Sequence, residues 1–508
     1  MRYIDRFLNK FTMYRFTLYY LIFLIVAAAL LAYFGLLNYN PMDILIEAGV
    51  AVIVSYAANT FFAKLFGAVT NYESVFITAL ILALIVPVQF PLNMLFMVGA
   101  AGVAMGSKYL LTIEKRHIFN PAAVSVAMIS LLSPEHAATW WVGNPVMLPF
   151  VLAGGLLLVR KIQRETMVFS FLIAYFIAIA IAAVINTGSL VDIVTIWQSS
   201  VFHSAVFFFA FVMLTEPLTS PSKEKKQGYY GYFTAILYAT PILRVLNFTP
   251  ELSLCIGNAF SYFISPNYRY SLPLKWKKQI SRDTYVFAFE QPKSIKYEPG
   301  QYMEWTLTHK NTDSRGNRRY FSLSSSPTEG VLMTTVKFYD PSSSYKKELI
   351  NLPEGRQVIA AQVAGDFVLP KNLKEPLVFI AGGVGIAPFR SMVQYIIDKN
   401  LQVNIILIYT NRTKEDILFA NTFKEAEKNG VKTIYNLTDI KSVPADWQGT
   451  TGYVTKELVE KEIPDYGTRK FYISGPQLMV QRFEQTLLDT GVSSKNIITD
   501  FFPGYNET

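Results

Sequence analysis

The chain has almost none of the residues that cross-link secreted proteins or hold metals. Its 508 residues include one cysteine, Cys255, and four histidines. A single cysteine excludes a disulfide framework and an iron–sulfur cluster held by thiolates. A haem held by two histidines needs paired histidines inside helices, and only His203 lies in a predicted apolar segment. A haem-bearing membrane reductase is therefore disfavoured, and we expect no metal site.

Charged residues are also few, at 16% of the chain, although the formal net charge is +9. The basic residues fall in loops between apolar segments, which is typical of a membrane protein, so we expect no nucleic-acid partner. Residues 15–266 are a succession of long apolar runs, whereas residues 267–508 have the composition of a soluble protein. The first run exceeds 20 residues and lacks a small-residue cleavage site, so no cleavable signal peptide is expected.

The apolar runs predict ten membrane-spanning helices, since a span needs about 20 apolar residues and fewer where a helix is broken. The segments lie near 15–37, 42–66, 73–88, 91–108, 120–133, 146–159, 166–186, 201–215, 229–247 and 250–265. Lysine and arginine occupy every second loop, as at Lys115, Arg164, Lys225 and Lys277, with Arg244 as the exception. This bias predicts a multi-pass protein of a bacterial inner membrane, with its N-terminus and soluble half in the cytoplasm.

Two parts of the membrane region repeat one another. One apolar segment ends at Pro87 and another at Pro217, while "FNPAA" and "FTPEL" place Pro121 and Pro250 at almost equal distances after them. Five helices separate the copies, and an odd number inverts the second copy. The pattern predicts an inverted repeat with interrupted helices and a binding site near the midplane. The alternative is that each proline only kinks its helix for packing.

Polar residues beside these breaks are candidate ligands of a cofactor or quinone. They are Asn120, Thr215 and Glu216. A carboxylate at the end of a short membrane helix is costly and usually functional. The alternative for Glu216 is a solvated position at the membrane interface.

The membrane half resembles the flavin-carrying D or B subunit of Rnf and Na⁺-translocating NADH:quinone reductase complexes. The resemblance covers about residues 1–266 and rests on "ITALILALIVP", "KRHIFNPAAVSVAMI", "ATWWVGNP" and "FFFAFVMLTEPLTSP". It implies a ten-helix inverted repeat that holds flavin. After Thr139 and Trp140 the chain lacks the Ser/Thr-Gly-Ala-Thr loop that anchors FMN covalently in that family. Non-covalent FMN or riboflavin, or a quinone, is then the expected ligand.

The soluble half contains two patterns. Short alternating segments at 284–290, 301–308, 319–324, 331–339 and 357–364 predict strands of a small antiparallel barrel. After Pro370, "EPLVFIAGGVGIAPFRSMVQYIIDKN" reads as a buried strand, a glycine-rich turn and a helix, and the strand–helix theme recurs. Such a series predicts a parallel α/β sheet with ligands at the carboxyl ends of its strands.

The stretch "RRYFSLSSSP" carries candidate cofactor chemistry. Arg319 is a permanently charged fork suited to a pyrophosphate. Phe321, two residues on, points the same way along a strand and can cover a flat ring. Ser322 can hydrogen-bond a ring edge. The alternative is an ordinary basic edge strand, but "PGQY", "SSSYKKEL", "GDFVLP", "GGVGIAP", "SGPQLM" and "DFFPGY" occur around it in order.

This series resembles the ferredoxin–NADP⁺ reductase family across about residues 275–508, which implies a barrel that binds FAD and a domain that binds NAD(P)H. By resemblance, Arg319 holds the FAD pyrophosphate. Phe321 and Ser322 are the expected catalytic residues: Phe321 stacks on the isoalloxazine, and Ser322 faces flavin N5. The other residues carried over are Ser344 for the FAD phosphates, Gly382, Gly383 and Gly385 for the dinucleotide, Gly475, Pro476 and Met479 for the nicotinamide path, and Phe502 and Tyr505 as shields of the flavin.

Residues 409–416, "YTNRTKED", bear on the choice of nicotinamide. Arg412 and Lys414 could receive a 2′-phosphate, whereas Glu415 and Asp416 favour NADH. The alternative is a solvated loop.

The expected organisation is a transmembrane electron-transfer domain (1–266), a linker (267–275), an FAD-binding barrel (276–370) and an NAD(P)-binding domain (371–508). The expected function is membrane-bound oxidation of NAD(P)H through FAD, with electrons passed to a membrane flavin, a quinone or an external acceptor. One alternative is a redox-driven Na⁺ or H⁺ transporter, which would need partner subunits. Another is a passive flavin carrier with a regulatory soluble domain, which the hydride-transfer motifs disfavour.

Overall fold

A computed structural model of the protein describes residues 4, 7–8, 11–68, 71–89, 91, 94–113, 116–132, 138–187, 190–243, 248–266, 269–309, 312–313 and 316–500. The chain divides into two compact units, Met1–Tyr268 and Arg269–Thr508. We call them the membrane unit and the soluble unit.

The membrane unit is mainly helical where its apolar segments are described. Its helices are α1 (Met13–Tyr33), α2 (Pro41–Leu65), α3 (Tyr72–Ile85), α4 (Met94–Leu110), α5 (Pro121–Leu132), α6 (Leu148–Ile162), α7 (Glu165–Thr187), α8 (Leu190–Phe202), α9 (Val206–Phe208), α10 (Glu224–Leu243) and α11 (Pro250–Ile264). Two short antiparallel strands, β1 (Thr112–Ile113) and β2 (Arg116–His117), lie between α4 and α5. Polar caps fix several helix starts, because proline at the first position follows a side chain that accepts a main-chain N–H, as at Asn40 and Thr249.

Three of the described helices are long and apolar enough to cross a membrane, namely α1, α2 and α7. Helix α8 and the segment Val206–Met213 form a further bent pair with an angle of 64°. Helices α3, α4 and α5 are apolar but shorter. The membrane unit is therefore a bundle of several apolar helices.

The predicted spans 166–186 and 201–215 leave residues 187–200 as a connecting loop, and there the structure differs. Residues Leu190–Phe202 form α8, and the indole of Trp197 donates a hydrogen bond of 3.2 Å to the carbonyl of Phe176 on α7. The rings of these residues also lie 5.8 Å apart. Packing against α7 thus stabilises a helix whose scattered polar residues favour a loop in sequence.

The first sheet of the soluble unit is antiparallel. Its strands are β3 (Arg269–Ser281), β4 (Thr284–Glu290), β5 (Tyr302–Thr306), β6 (Arg318–Ser322), β7 (Val331–Lys337) and β8 (Gln357–Ala364), with helix α12 (Ser344–Ile350) between β7 and β8. The order is β6–β5–β8–β3–β4–β7, and a bridge from Leu323 to Thr334 connects the two edge strands. Residues 269–275, expected as a linker, are the first half of β3, because Leu272 and Leu274 alternate into the core.

The second sheet is parallel, with the order β12–β11–β10–β9–β13–β14. These strands are β9 (Leu377–Gly382), β10 (Ile405–Asn411), β11 (Val431–Leu437), β12 (Thr450–Thr451), β13 (Lys470–Ser474) and β14 (Ile497–Asp500). Its helices are α13 (Ala387–Asp398), α14 (Ala420–Glu425), α15 (Lys456–Glu462) and α16 (Gln477–Asp489). The predicted antiparallel and parallel sheets of the soluble half are confirmed.

The charge bias predicts which loops share a side of the membrane. In a Cys255→Ser background, we expect Asn38→Cys to react with a membrane-impermeant maleimide in intact cells. Lys225→Cys and Glu354→Cys should react only after the cells are permeabilised, since both are expected in the cytoplasm. Equal labelling of Asn38→Cys and Lys225→Cys in intact cells would contradict the orientation.

Candidate functional site

Strand β6 presents two chemically distinct faces. On one face, the guanidinium of Arg319 lies 4.9 Å from the ring centroid of Tyr345, and the ring of Phe321 lies 6.1 Å from it. On the other face, Arg318 lies 3.6 Å from the carboxylate of Glu304, to which the Tyr320 hydroxyl donates a hydrogen bond of 2.7 Å. The side-chain alternation of a strand therefore brings Arg319 and Phe321 together and separates them from the two residues beside them.

The ring of Tyr345 packs against the face of β6 that carries Arg319 and Phe321. It is fully buried on α12, and its hydroxyl lies 3.3 Å from the carbonyl of Trp305. Burial raises the pKa of Tyr345, and the positive charge of Arg319 opposes that rise. Tyr345 remains a neutral ring, so it can stack under Arg319 as a cation–π partner.

Arg319 and Ser344, which are expected to hold a pyrophosphate, both lie beside the carboxylate of Asp313. The carboxylate of Asp313 accepts a hydrogen bond of 2.8 Å from the main-chain N–H of Ser344 and lies 3.9 Å from Arg319. The Ser344 hydroxyl lies 3.0 Å from His309 Nε2 and accepts a hydrogen bond of 2.9 Å from the Asp313 N–H. Because a carboxylate and a phosphate oxygen use the same donors, this arrangement fits the phosphates of FAD.

Glycines make the second half-site at the carboxyl ends of β9 and β13. A Cβ on Gly385 would lie 2.5 Å from the Cα of Gly475, and a Cβ on Gly382 would lie 2.2 Å from the sulfur of Met479 and 3.3 Å from Pro476. Gly383 has a φ of +53°, in the left-handed region that glycine adopts without strain. The turns after β9 and β13 therefore leave no room for a side chain at Gly382 or Gly385.

The charged loop after β10 is paired internally. Arg412, which is 80% exposed, lies 3.7 Å from Asp439, and Lys414 lies 3.3 Å from Asp446. Asp416 accepts hydrogen bonds from Thr413 and lies 3.7 Å from Lys337. Both cations therefore lie beside acidic side chains, and the carboxylate of Asp416 interacts with Thr413 and Lys337.

Of the membrane candidates, Glu216 has the chemically richest environment. Its carboxylate lies 3.5 Å from His117 Nε2 and accepts a hydrogen bond of 3.1 Å from the Thr219 hydroxyl. His117 and Thr219 line a cleft with Asn258, which accepts a hydrogen bond of 2.8 Å from the Asn120 N–H. Asn120 also caps α5, whereas the Thr215 hydroxyl donates to the Phe211 carbonyl four residues earlier. The structure thus connects Asn120 and Glu216 to one cleft through their partners, and Thr215 has a local role.

A second polar arrangement, absent from the sequence analysis, lies at the other broken helix. The main-chain N–H groups of Thr139 and Trp140 donate to the Ile85 carbonyl at the end of α3, at 3.1 and 3.0 Å. The Trp140 indole donates a hydrogen bond of 3.1 Å to Glu251, at the start of α11. The end of α3 is therefore linked, through Trp140, to the start of α11.

Glu47 is a further buried carboxylate that the sequence analysis missed. It is 2% exposed and accepts a hydrogen bond of 2.8 Å from the Gln89 N–H, just beyond the end of α3. The criterion that selected Glu216, an acidic residue within an apolar segment, could also have found Glu47 in the sequence. Phe502 and Tyr505 lie outside the described residues. Where the chain is described, no three histidine, cysteine or acidic side chains come together as a metal site.

Comparison with known proteins identifies the two units. Residues 10–147 and 141–266, together about half of the chain, match the NQR2, RnfD, RnfE family. The chain belongs to this family. Residues 271–367 match the oxidoreductase FAD-binding domain, and residues 379–485 match the oxidoreductase NAD-binding domain. This member of the family is therefore fused to an FAD- and NAD-binding reductase module, which confirms both resemblances seen in the sequence.

Individual relatives match between about two fifths and about half of this chain. Flavohemoprotein A of Dictyostelium discoideum is 28% identical over 41% of this chain and 52% of its own length. NADH-cytochrome b5 reductase 1 of Coccidioides immitis is 26% identical over 55% of this chain and 96% of its own length.

A relative from a sodium-translocating complex matches as well. This component of the Na(+)-translocating NADH-quinone reductase of Neisseria meningitidis serogroup B is 27% identical over 42% of this chain and 56% of its own length. The chain thus spans about half the length of this relative and of the flavohemoprotein. Among solved structures, the FAD/NAD-binding domain of a Vibrio cholerae nitric oxide dioxygenase is 23% identical, with a TM-score of 0.41 over 46% of this chain and 98% of that one.

Adjacent arginines of β6 allow a matched test of FAD binding. We expect Arg319→Lys to weaken FAD binding roughly 10- to 100-fold, because a lysine cannot present the bidentate fork and a charged hydrogen bond contributes about 1.5–3 kcal/mol. Arg318→Lys keeps its ion pair with Glu304 and should change the Kd less than about twofold. Titration of the flavin-free protein with FAD, followed by fluorescence quenching, gives both constants. Equal weakening in the two variants would contradict the assignment.

The contact between the glycine turns allows a second test. A methyl group in Gly385→Ala would push Gly475 away, so we expect the KM for NADH to rise roughly tenfold or more, in line with an overpacking cost of about 1–3 kcal/mol. Gly467→Ala, in the same domain with open space around it, should leave the KM unchanged. Steady-state NADH oxidation with a dye acceptor measures both variants. An unaltered KM in Gly385→Ala would show that the turns do not shape the nucleotide site.

Proposed function

We propose that this protein is a membrane-bound oxidoreductase that takes electrons from NADH through FAD and passes them to an acceptor at its membrane unit. The observation that carries the proposal is that one compact unit holds both the arginine and aromatic side chains on one face of β6 and the close glycine turns at the carboxyl ends of β9 and β13. The proposed domains are those of the sequence analysis, with the barrel beginning at Arg269, where β3 starts.

The residues of the soluble unit would divide the work as follows. A bound FAD would supply the redox chemistry, namely acceptance of a hydride and release of electrons one at a time. Arg319 and Ser344 would bind the pyrophosphate, and Phe321 would cover the ring. Ser322, at the end of β6, would donate a hydrogen bond to the ring edge that receives the hydride. The turns at Gly385 and Gly475, with Gly382, Gly383, Pro476 and Met479, would admit the nicotinamide.

The pairing within the loop after β10 supports NADH over NADPH. Arg412 and Lys414 each lie within 3.7 Å of a carboxylate, that of Asp439 and that of Asp446, and these negative charges oppose the binding of a 2′-phosphate beside them.

For the membrane unit we propose the ten-span inverted repeat of a bacterial inner membrane, with the soluble unit in the cytoplasm. The recurrence of a break near Pro87 and Pro217, each followed by a helix that begins with proline, α5 at Pro121 and α11 at Pro250, supports this symmetry. The acceptor would be non-covalent FMN or riboflavin, or a quinone, near the cleft lined by His117 and Asn258. Fusion of the two units maintains a high effective concentration of donor and acceptor.

Quinone reduction tests the proposal most simply. In proteoliposomes, the full chain should reduce quinone at the expense of NADH. We expect Ser322→Ala to slow flavin reduction roughly 10- to 100-fold with its FAD content unchanged, because a hydrogen bond to developing charge contributes about 1.5–3 kcal/mol. Ser294→Ala, exposed on the same domain, is the matched control. NADH oxidation that reduces dyes but never quinone would contradict a quinone as acceptor.

Redox-driven transport of Na⁺ or H⁺ is the second candidate function. The buried carboxylates of Glu47 and Glu251 favour it, since charged groups inside a membrane bundle commonly mark ion paths. The same proteoliposomes distinguish the two functions. Uptake of ²²Na⁺ or a signal from an internal pH dye during NADH oxidation supports transport, while quinone reduction without either supports electron transfer alone.

A further inference from the structure

Helix α13 connects the two half-sites of the soluble unit. It begins directly after the glycine turn that contains Gly385, and its first turn carries Arg390. Facing it is the segment 324–330 of the barrel, which follows Ser322 at the end of β6. Ser324, Ser325 and Ser326 of this segment are buried, at 0–1% exposure. A displacement between α13 and this segment would therefore change the spacing between Ser322 and the glycine turn.

Arg390 joins the two parts through three oxygen atoms. Its guanidinium donates to both carboxylate oxygens of Glu329, one of them at 2.8 Å, and to the main-chain carbonyl of Ser324 at 3.0 Å. The side chains of Arg390 and Glu329 are only 11% and 19% exposed. A planar fork can satisfy three fixed acceptors at once, whereas an ammonium group cannot hold the same bidentate geometry.

Further contacts fix the orientation of α13 along its length. Ser391 donates to the Ser325 carbonyl, and Thr328 donates to the carboxylate of Asp398 at the far end of the helix. On another part of the barrel, a Cβ on Gly300 would lie 2.4 Å from Met392. Glu329 is itself oriented, because it also accepts the N–H of Ser326 at 2.6 Å. Arg390 is thus the charged residue in the middle of a contact between α13 and segment 324–330 that several hydrogen bonds hold in place.

A second ion pair also joins the barrel to the NAD-binding domain, and it is looser. Lys337 on β7 lies 3.7 Å from Asp416, and both side chains are about twice as exposed as Arg390, at 24% and 23%. This pair consists of a single long contact with a flexible ammonium group, so it constrains the relative position of the two domains only weakly. It supplies a matched control in which the same two domains lose an ion pair that does not fix their spacing.

We propose that Arg390 is a positioning residue for hydride transfer, which with Glu329 sets the distance between the flavin-side end of β6 and the nicotinamide-side turn. The inference rests on the proposed function of the soluble unit. Arg390 would touch neither cofactor, and it would act through the two segments that it joins. Since misplacement of reacting groups by about 1 Å can lower a rate roughly 100-fold, loss of the fork should slow the hydride step without loss of either ligand.

The test compares Arg390→Lys and Glu329→Gln with Lys337→Gln in the full-length protein. Rapid mixing with NADH should show flavin reduction slowed roughly 10- to 100-fold in the first two variants and less than about twofold in the control. FAD content and the Kd for NADH should stay within about twofold of wild type in all three. With 4-deuterated NADH, the isotope effect on turnover should increase in the slowed variants.

A second measurement determines the distance between the barrel and the NAD-binding domain and does not depend on catalytic activity. Nitroxide labels at Lys293→Cys in the barrel and Glu484→Cys in the NAD-binding domain, in a Cys255→Ser background, give the inter-domain distance by pulsed electron double resonance. We expect one narrow distribution in the otherwise unaltered protein and in Lys337→Gln, and a broader or shifted one in Arg390→Lys and Glu329→Gln.

Unchanged flavin reduction in both Arg390→Lys and Glu329→Gln would overturn the proposal. A loss of rate that only follows loss of FAD, or an unaltered distance distribution, would assign the pair to folding alone and overturn it too. If Arg390→Lys does not fold, Glu329→Gln decides, because it keeps the shape of the carboxylate and removes its charge. Wild-type protein that NADH does not reduce would instead refute the proposed function.

Discussion

The candidate chemistry of the soluble unit depends on the alternation of side chains along one edge strand. In β6, Arg319 and Phe321 lie over the buried ring of Tyr345, while Arg318 and Tyr320 face Glu304. A shift of one residue in the pairing of β6 with β5 would exchange these faces and turn Arg319 toward the carboxylate of Glu304. The register of this pair, Glu304 with Tyr320 and Trp305 with Arg319, therefore fixes the site.

In the membrane unit the corresponding constraint is the broken helix. Main-chain carbonyls at a break need partners, because nothing in a bilayer core can replace water as a donor. The segment Thr139–Trp141 provides them for the end of α3, and the indole of Trp141 binds the Ala83 carbonyl at 3.0 Å. These requirements bring Trp140 to Glu251, and they explain why polar residues gather at the ends of otherwise apolar segments.

Much of this architecture could be predicted from the sequence because it is periodic. Segments 284–290 and 357–364 coincide with β4 and β8, and the glycine turn after β9 lies where its motif places it. Residues 269–275 were expected to be a linker because Pro273 and Lys275 interrupt the apolar pattern there, whereas Leu272 and Leu274 already alternate into the core. Helix α8 was missed because its stability comes from contact with α7.

Pairwise contacts between distant segments had no sequence signal of their own. Arg390 and Glu329 are separated by 61 residues, and neither stands in an unusual local pattern. The interaction of Trp140 with Glu251 spans 111 residues. Only the folded chain shows that these side chains meet, whereas the motifs that we assign to cofactor binding are local and can be recognised in the sequence.

The central claim is that one chain joins a flavin reductase to a membrane acceptor, and anaerobic reduction of the purified protein tests it most directly. Flavin extracted before and after acid precipitation would be counted per chain, and NADH would then be mixed with the intact protein. We predict one releasable FAD per chain, rapid bleaching of its visible absorption, and recovery of the absorption when quinone is added. A colourless protein, or a yellow one that NADH does not bleach, would contradict the account.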